Sequence, residues 1–550
     1  GDYQSNVAMG LAKQLGQAPR AVAEAIVDAL SADPALDALL GEPLTIAGPG
    51  FINFRLSAGC LARSLTAMAD APNAGIEAVA TPEVVVVDYS APNVAKEMHV
   101  GHLRTTNIGD VLARVLGASG HIVVRQNHLG DWGTQFGMLI EHLFETYGDP
   151  LPAPLPPIDD LDALYKQAAA RYKDDAAFAE RARGRVVQLQ AGYPQVLAAW
   201  RALLSESERH YEAVYALLGV LLTSDDIRGE SFYNPFLADV CAELESQGLA
   251  RIDDGALCAF PKGFNNRDGE PLGFIIRKSD GGYLYATTDL AAVRFRFADL
   301  DATRVIYVVD ARQAQHFAMV FEIAREAGWL DEAHGASAEH VPYGIVLGDD
   351  NKPLKSRSGD TVKLIDLLHE AVARARHVID EKSPDLPAEA RVEVARAVGI
   401  GALRYADLVN HRIKNYVFDW DRMLAMDGNT APYLQYAHAR ICSILRKADP
   451  ADVAAHGPID IAEPSERVLA LQLVRFPEVV QAVADTLEPH LLCTYLFETA
   501  QAFTSFYEAC SVLNAPTDTA RRSRLAICGV TAQVLATGLG LLGIAAPIRL

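Results

Sequence analysis

The sequence has no apolar run long enough to cross a lipid bilayer. A membrane-spanning helix needs about 20 consecutive apolar residues, whereas apolar runs such as residues 84–87 (VVVV) have the length of a strand. The residues that follow Gly1 also lack the basic segment, apolar block and small-residue cleavage site of a signal peptide. We therefore expect a protein that contacts no membrane and whose start has been truncated.

Cysteine is scarce, and its spacing forms no metal-binding pattern. The seven cysteines are scattered along the chain without C-x-x-C pairs. This distribution is typical of reduced thiols in a cytosol and argues against a cysteine-built zinc site. We therefore expect a cytoplasmic protein without a structural metal.

Basic residues are outnumbered by acidic ones. Lys and Arg total 49 and Asp and Glu total 70, so the formal net charge is −21. Such a charge repels a polyanion at long range, and RNA binding would need local basic faces. With 550 residues, half of them hydrophobic, the chain can bury several cores, which predicts about two to four domains.

The two ends of the chain differ in their hydrophobic pattern. Near the start, the pattern predicts a helix at residues 20–30 and a short strand near residues 51–56, followed by a linker at residues 71–82. Beyond about residue 364 amphipathic helices dominate, including residues 431–447 and 489–510. This pattern predicts a small mixed domain at the start and a helical bundle at the end.

The middle of the chain alternates between strands and helices. The predicted strands are residues 84–87, 122–124, 305–309 and 344–347, and the predicted helices begin near His99 and span residues 314–327. This order predicts a doubly wound parallel sheet, an α/β fold of the Rossmann type. Charged and helical residues from about 150 to 250 are interpreted as an insertion into that sheet.

The predicted domain boundaries follow these changes of pattern. They are a small mixed N-terminal domain at residues 1–80, a Rossmann-type domain at 83–370, a helical connecting region at 371–428 and an all-α C-terminal bundle at 429–550.

The loop after the first strand of the predicted sheet carries the clearest chemical signal. Residues 88–98 lead into His99-Val100-Gly101-His102 at a helix start. Ligands bind at the carboxyl ends of parallel strands, and the free N–H groups of a helix start suit phosphate. Gly101 allows close approach of a nucleotide, and two imidazoles can hydrogen-bond phosphate oxygens. The pattern favours nucleotidyl transfer, although H-x-G-H alone leaves open two incidental histidines or a metal-binding pair.

Residues 88–102 resemble the HIGH region of class I aminoacyl-tRNA synthetases, and residues 90–96 (SAPNVAK) are similar to those of bacterial arginyl-tRNA synthetases. The resemblance continues through residues 127–137, 283–289 and 428–433, so it spans nearly the whole chain. It implies an N-terminal tRNA-contacting domain, a class I catalytic domain and an α-helical anticodon-binding domain, usually with a further helix ahead of the position of Gly1.

The resemblance also implies a reaction and its partners. An arginine–tRNA ligase uses ATP with Mg²⁺ to convert L-arginine to arginyl-adenylate, and then transfers the arginine to tRNA(Arg). The implied partners are therefore ATP, L-arginine and tRNA(Arg), without DNA or a membrane, and we expect a monomer. Three alternatives stay open: a class I synthetase for another amino acid, a small-molecule adenylyltransferase, and a catalytically inactive RNA-binding paralogue.

Recognition of arginine needs carboxylates, because a guanidinium has five donors, no acceptor and a permanent charge. Asp289 is the leading candidate, and a spacing of four places it on one helical face with Tyr285. By the resemblance, Tyr285 and Asp289 grip the guanidinium, and Gln313 also contacts arginine. Asp88 and Asn93 would hold the α-amino and carboxylate ends. Taken alone, these residues are equally compatible with a helix-capping acid, a helix-start amide and two turn residues.

A second nucleotide element is implied at residues 354–359 (LKSRSG), in the position of the family's KMSK loop. Arg357 replaces the second lysine of that loop, and a planar guanidinium is not equivalent to an ammonium. We therefore assign phosphate stabilisation to Lys96 and Lys355, with Arg357 as a further candidate; a solvated glycine-rich loop is the alternative. The predicted catalytic residues are His99, His102, Lys96, Lys355 and Arg357, and the predicted ATP-binding residues are His99, Gly101, His102, Lys96 and Lys355.

A basic and aromatic stretch is a candidate surface for tRNA. Arg412, Lys414 and Tyr416 lie close together in the sequence, and Arg440 lies on a later predicted helix. Such residues can meet phosphates and stack on an unpaired base. Because a run of charges is more often a solvated face, this assignment depends on the resemblance.

Overall fold

A computed structural model of the protein describes residues 1–94, 96–152, 156, 161–355, 362–454 and 458–550. These residues form two compact units. Unit 1 comprises Gly1–Glu77, Ala425–Asp485 and Leu491–Leu550, and unit 2 comprises Ala78–Leu424 and Thr486–His490.

The described residues form short strands and many helices. The strands are β1 (Tyr3–Ser5), β2 (Thr45–Ala47), β3 (Phe51–Phe54), β4 (Val84–Asp88), β5 (Ile122–Gln126), β6 (Ala250–Asp253), β7 (Ala256–Ala259), β8 (Phe274–Arg277), β9 (Arg304–Tyr307), β10 (Ser337–His340), β11 (Val346–Leu347) and β12 (Tyr416–Val417). The helices are α1 (Val7–Leu15), α2 (Pro19–Ser31), α3 (Pro34–Asp37), α4 (Ala58–Asp70), α5 (Gly101–Ala118), α6 (Thr134–Tyr147), α7 (Leu161–Asp174), α8 (Ala176–Gln190), α9 (Pro194–Leu218), α10 (Glu230–Tyr233), α11 (Leu237–Ser246), α12 (Tyr285–Ala298), α13 (Ala314–Glu326), α14 (Leu364–Lys382), α15 (Ala388–Leu408), α16 (Trp420–Met423), α17 (Ala431–Lys447), α18 (Pro450–Ala454), α19 (Pro464–Val474), α20 (Phe476–Thr486), α21 (His490–Ala509) and α22 (Asp518–Leu541).

A parallel sheet with the strand order β10-β9-β4-β5 lies in unit 2. Its interior strand β4 is apolar because both neighbours and both faces exclude water, and Val85, Val86 and Val87 are fully buried. The register places Asp88 opposite Gln126 of β5 and opposite Tyr307 of β9. The carboxyl ends of three strands therefore meet at one edge, and the α/β fold with a parallel sheet is confirmed.

One predicted strand does not belong to this sheet. We expected residues 344–347 to follow residues 305–309 in it, but β10 pairs with β9, and β11 pairs with β12. The residues of β10 (SAEH) are half-buried and mostly polar. Their pattern gives no apolar signal, whereas the apolar residues of β11 form a separate ladder.

The chain between β5 and β9 contains the charged helices α7, α8 and α9, where the sequence indicated a helical insertion. It also contains an antiparallel sheet in the order β6-β7-β8, which the pattern did not indicate. Each of these strands has four residues. Ile252 and Ile275 are exposed on them, so no sustained alternation of apolar and polar residues marks the strands in the sequence.

Unit 1 combines the first residues of the chain with the C-terminal helices. The N-terminal sheet has the order β1-β3-β2 and shares a small core with α1 and α2 that includes Ala8, Val22 and Ile52. Helix α4 packs against α19 and α22. Arg467 of α19 donates to Asp2 Oδ2 at 2.5 Å. Segments that the sequence separates by hundreds of residues therefore share one compact unit.

Among the described helices, α22 is the one with the length and apolar composition of a membrane span. Of its most apolar window, 67% is buried inside the protein, and the helix packs against α17 and α19. Its apolar surface therefore belongs to the core of unit 1.

Candidate active site

The chain leaves β4 through a strained turn. Ser90 and Ala91 have positive φ angles of 71° and 42°, a conformation that costs a non-glycine residue about 1–3 kcal/mol. Surrounding side chains hold it in place. The N–H of Ser90 donates to Thr105 Oγ1 at 3.1 Å, and the N–H of Ala91 donates to Asn127 Oδ1 at 3.0 Å. The turn redirects the chain along the carboxyl edge of the sheet.

Asn93 follows this turn and lies beside Gly130. The two residues form an isolated parallel bridge, and a Cβ atom on Gly130 would lie 2.6 Å from Asn93 Oδ1. The position of the Asn93 amide therefore depends on glycine at residue 130. Asn93 is exposed, so its amide can reach a ligand at this edge.

His99 and His102 face each other at the start of α5, with ring centroids 4.0 Å apart. The N–H of Gly101 donates to His99 Nδ1 at 3.0 Å, and the N–H of His99 donates to His102 Nδ1 at 3.1 Å. A Cβ atom on Gly101 would lie 2.7 Å from His99 Cε1. Glycine at residue 101 is therefore needed to accommodate the His99 ring itself, a role that the sequence did not indicate.

Both imidazoles are neutral near pH 7. Burial and the nearby charge of Lys96 lower the pKa of His99, and burial together with His99 lowers the pKa of His102 to about 3. Because each Nδ1 accepts a backbone proton, each neutral ring carries its own proton on Nε2. The helix start therefore presents two N–H donors to an anion.

Lys96 lies close to these histidines, as its effect on the pKa of His99 shows. Its Nζ is 4.1 Å from the centroid of the Tyr165 ring in α7, a cation–π contact. Lys355 is exposed, and Arg357 lies outside the described residues. The predicted phosphate-binding cation Lys96 therefore lies near the signature histidines.

Residues 362–364 run beside the signature segment. The N–H of Val100 donates to the Val362 carbonyl at 3.0 Å, and the N–H of Leu364 donates to the Met98 carbonyl at 2.8 Å. Lys363 Nζ lies 2.9 Å from Glu97 Oε2. These contacts hold residues 362–364 next to the segment that contains His99.

Asp88, at the end of β4, is buried and paired within the protein. Arg296 donates through Nη2 to Asp88 Oδ2 at 2.7 Å and through Nε to Gln126 Oε1 at 2.7 Å. Its guanidinium lies 4.7 Å from the centroid of the Tyr307 ring. Sequence reasoning missed Arg296, because a single arginine in a helix is ordinarily a surface residue.

Tyr285 and Asp289 lie one turn apart in α12. The helix begins at Tyr285, so Asp289 lies inside the helix, and the alternative interpretation of Asp289 as a helix-capping acid is wrong. Both residues contact His316 of α13: the Tyr285 ring centroid is 5.1 Å from that of His316, and Asp289 Oδ2 is 2.6 Å from Nε2. Their side chains share one face of the helix, as the spacing of four predicts.

Further titratable groups surround Asp289, and sequence reasoning missed them. His128 Nε2 lies 3.9 Å from Asp289 Oδ1. Burial, with the nearby charges of Asp289 and Asp131, raises the pKa of Glu230 to about 8. His128 and Asp131 belong to residues 127–137, so the resemblance noted for that segment could have indicated them; no motif marks Glu230. We call Asp131, Glu230 and Asp289 the acidic cluster.

Tyr307 connects the acidic cluster with the end of β4. Its pKa is raised by burial and by the charges of Asp88 and Asp289, against the opposing charge of Arg296. Asp88 and Asp289 therefore lie near the same ring.

Gln313 is exposed in a short 3-10 turn (Ala311–Gln313) just before α13. It precedes His316, the residue that contacts Asp289, by one helical turn.

Two of the residues predicted to contact tRNA are engaged within unit 2. Tyr416 is buried, and its ring centroid lies 5.3 Å from the Arg104 guanidinium. Arg412 donates to the carbonyl oxygens of Leu487 at 3.1 Å and Pro342 at 3.0 Å. The burial of Tyr416 does not support base stacking by its ring, and the contacts of Arg412 restrain its guanidinium.

The other two residues predicted to contact tRNA lie closer to solvent. Lys414 is exposed in unit 2. Arg440 of unit 1 lies with its guanidinium 4.5 Å from the centroid of the Tyr507 ring. Tyr436, one turn earlier on the same helix, is 47% exposed. The middle of α17 thus places a cation beside the Tyr507 ring of α21 and one turn from the exposed Tyr436.

The seven cysteines all lie in the described ranges and are free thiols. In the same ranges, no three His, Cys, Asp or Glu side chains are grouped so that they could hold a metal ion.

Comparison with known proteins finds matches along the chain. The family models described as "tRNA synthetases class I (R), catalytic domain", "DALR anticodon binding domain" and "Arginyl tRNA synthetase N terminal domain" match residues 67–420, 434–550 and 1–56. The arginine–tRNA ligase of Thermobifida fusca is 52% identical, over 99% of this chain and 93% of that protein. That of Synechococcus sp. is 51% identical, over 99% and 92%. The arginyl-tRNA synthetase structure from Plasmodium falciparum has a TM-score of 0.85 at 29% identity, covering 100% of this chain and 93% of that one.

Proposed function

The chain belongs to the class I arginyl-tRNA synthetases, and from this premise we propose how its residues carry out the reaction. Its activity is the joining of arginine to tRNA with the use of ATP. In the proposed sequence, the arginine carboxylate attacks the α-phosphate of ATP and displaces pyrophosphate, which gives arginyl-adenylate. A terminal ribose hydroxyl of tRNA(Arg) then attacks the acyl carbon and displaces AMP.

The acidic cluster is the observation that carries the assignment of the guanidinium site. Asp289 is oriented by His316 and His128, and Glu230 is close enough for its pKa to respond to the charge of Asp289. Among the described residues, no Lys or Arg lies within salt-bridge distance of Asp289 or Glu230. The two acids therefore suit a cation with several donors, such as a guanidinium. Tyr285 would cover the same group.

Residues at the end of β4 support binding of the other end of arginine. Arg296 engages Asp88 Oδ2, so a substrate ammonium would bind at Oδ1. The exposed amide of Asn93 can meet the substrate carboxylate, and Gln313 lies one helical turn before His316, which orients Asp289. We assign arginine binding to Asp88, Asn93, Tyr285, Asp289 and Gln313, and we add Glu230.

The helix start supports binding of the ATP phosphates. His99 and His102 offer neutral Nε2–H donors, and Gly101 leaves room for the His99 ring. Lys96 would leave the Tyr165 ring to meet phosphate oxygens, with Lys355 and Arg357 as further cations. Mg²⁺ that arrives with ATP supplies charge that offsets the negative charge of the phosphates. Positioning and charge stabilisation then account for catalysis.

We assign contact with tRNA to Arg440 and Lys414, whose side chains border solvent. We assign a structural role to Arg412 and Tyr416, which hold in place the segment that carries Lys414. Further parts of the proposal are that the protein acts in the cytoplasm as a monomer, without DNA or a membrane, and holds no structural metal.

Arginine-dependent exchange of pyrophosphate into ATP, measured with and without tRNA(Arg), tests the proposal. We expect Asp289→Ala to raise the KM for arginine by about 30- to 150-fold, because a charge-assisted contact worth about 2–3 kcal/mol is lost, while the KM for ATP stays unchanged. Asp268→Ala, which removes an exposed acid, is the matched control. Exchange that depends on another amino acid would contradict the proposal.

A further inference from the structure

Tyr215 of α9 connects the helical insertion to the strained turn after β4. Its hydroxyl oxygen lies 2.6 Å from Ser90 Oγ and 3.0 Å from Asn127 Nδ2, and its side chain is buried. Asn127 also accepts the hydrogen bond from the Ala91 N–H. A single hydroxyl therefore contacts one residue of the strained turn directly and contacts the side chain that supports the other.

The proton positions in this group can be assigned from chemistry. Thr106 Oγ1 lies 2.7 Å from the His102 carbonyl and 2.9 Å from Ser90 Oγ. A hydroxyl has one proton and a carbonyl can only accept, so Thr106 donates to His102, and Ser90 donates to Thr106. Tyr215 must then donate to Ser90 while it accepts from Asn127 Nδ2.

The result is a directed chain of hydrogen bonds: Asn127 donates to Tyr215, Tyr215 to Ser90, Ser90 to Thr106, and Thr106 to the His102 carbonyl. Burial raises the pKa of Tyr215, so the phenol keeps the proton that the chain requires. Linked hydrogen bonds in a buried site strengthen one another. The chain joins α9 to the strained turn and to the second signature histidine.

We propose that Tyr215 is a positioning residue for arginine activation, whose hydroxyl holds the turn at Ser90 and Ala91 and thereby sets Asn93 relative to His102. Left-handed backbone at non-glycine residues persists only where the surroundings hold it. This inference depends on the proposed role of Asn93. Tyr215 itself contacts no substrate; it acts through the turn, and a displacement of about 1 Å in a reacting group can cost about 100-fold in rate.

Tyr215→Phe removes the hydroxyl and keeps the ring, so it tests the proposal directly. In pyrophosphate exchange with arginine and tRNA(Arg), we expect kcat to fall by about 10- to 100-fold, while the KM for ATP changes less than about twofold, because His99 and His102 remain at the helix start. Loss of folded protein would also lower the apparent kcat without changing KM, so the folded fraction of each variant is checked by thermal unfolding and kcat is expressed per folded molecule.

Tyr211→Phe is the matched control. Tyr211 lies one turn earlier on α9, is also buried, and its ring centroid is 5.6 Å from that of Tyr215, but it is outside the chain of hydroxyls. Its variant should retain kcat within about twofold. Equal losses in the two variants, or no loss in Tyr215→Phe, would overturn the inference.

Glycine adopts a positive φ without strain, so Ala91→Gly reduces the need for support of the turn. The fold-decrease in kcat caused by Tyr215→Phe should therefore be smaller in a protein that also carries Ala91→Gly than in the natural sequence. An equal fold-decrease in the two proteins would contradict the inference. If Tyr215→Phe fails to fold, Ser90→Ala interrupts the same chain and should lower kcat to a similar extent, and an unchanged kcat there would overturn the inference. An unsubstituted protein that shows no arginine-dependent exchange would instead refute the proposed function.

Discussion

Glu230 binds a proton near pH 7 in the free protein, because burial and the neighbouring charges of Asp289 and Asp131 raise its pKa to about 8. In the unfolded chain the same carboxyl ionises near its ordinary value of about 4.5. Between these two values the folded state holds the extra proton, so this group makes the fold less stable as the pH rises through that window. A guanidinium beside Glu230 favours the ionised carboxylate, so the folded protein with arginine bound no longer favours the protonated form.

Arginine binding should therefore release close to one proton at pH 7, and arginine affinity should increase as the pH rises toward about 8. Calorimetric titration with arginine, in two buffers of different ionisation enthalpy, measures the proton count directly. Glu230→Gln should abolish both the release and the pH dependence. The same proton release from Glu230→Gln as from the natural sequence would show that another group titrates.

The site residues that could be predicted from the sequence belong to continuous motifs. His99 and His102 stand in one segment with Asp88 and Asn93, and Tyr285 and Asp289 are one helical turn apart. The protonation of Glu230 depends instead on α10, α12 and the loop after β5 meeting in space. No sequence pattern predicts that these three elements come together. The Nε2–H donors of His99 and His102 were likewise not predictable, because they follow from the backbone N–H groups that donate to each Nδ1.

Helix α5 carries the signature residues at its start and is held to α15 by a buried ion pair. Arg104 Nε donates to Asp407 Oδ1 at 2.7 Å, and Asn107 Nδ2 donates to Asp407 Oδ2 at 3.1 Å. The side chains of Arg104 and Asp407 are 1% and 0% exposed. Removal of one partner of such a pair leaves a buried charge without compensation.

Asp407→Ala should therefore reduce the free energy of unfolding by about 3–5 kcal/mol, seen as a lower unfolding temperature, and should lower pyrophosphate exchange because α5 positions His102. Glu389→Gln, at an exposed site in the first turn of α15, should change stability by less than about 0.5 kcal/mol. A stability of Asp407→Ala close to that of the control would mean that solvent reaches Arg104 and compensates its charge.

Elements with strong periodicity were predictable, and elements whose stability comes from their neighbours were not. Helix α17 has the predicted bounds, and β4 extends the predicted strand by one residue, to Asp88. Strand β10 is polar and is a strand because β9 supplies its hydrogen-bonding edge. Strands β6, β7 and β8 are short and partly exposed, so their pairing, not their composition, defines them.

The charge of the whole molecule opposes its binding to tRNA. The formal net charge of −21 repels a polyanion, yet the Debye length is about 10 Å at 0.1 M salt, so most of that repulsion is screened at working ionic strength. Contacts between a guanidinium and a phosphate act at much shorter range and release bound counterions. These local contacts, and not the net charge, therefore determine how the affinity for tRNA depends on salt concentration.

The affinity for tRNA(Arg) should accordingly fall as salt increases, and Arg440→Gln should reduce the slope of log affinity against log salt by about 0.7–1, which corresponds to one lost phosphate contact. Arg209→Gln changes the net charge equally, at an exposed residue of α9 that pairs with Glu206, and should leave the slope unchanged. Equal changes in the two variants would mean that total charge governs binding. A change for Arg440→Gln alone would localise a phosphate contact to α17, where Arg440 lies against the Tyr507 ring, and would explain how an acidic protein binds a polyanion through a small basic surface.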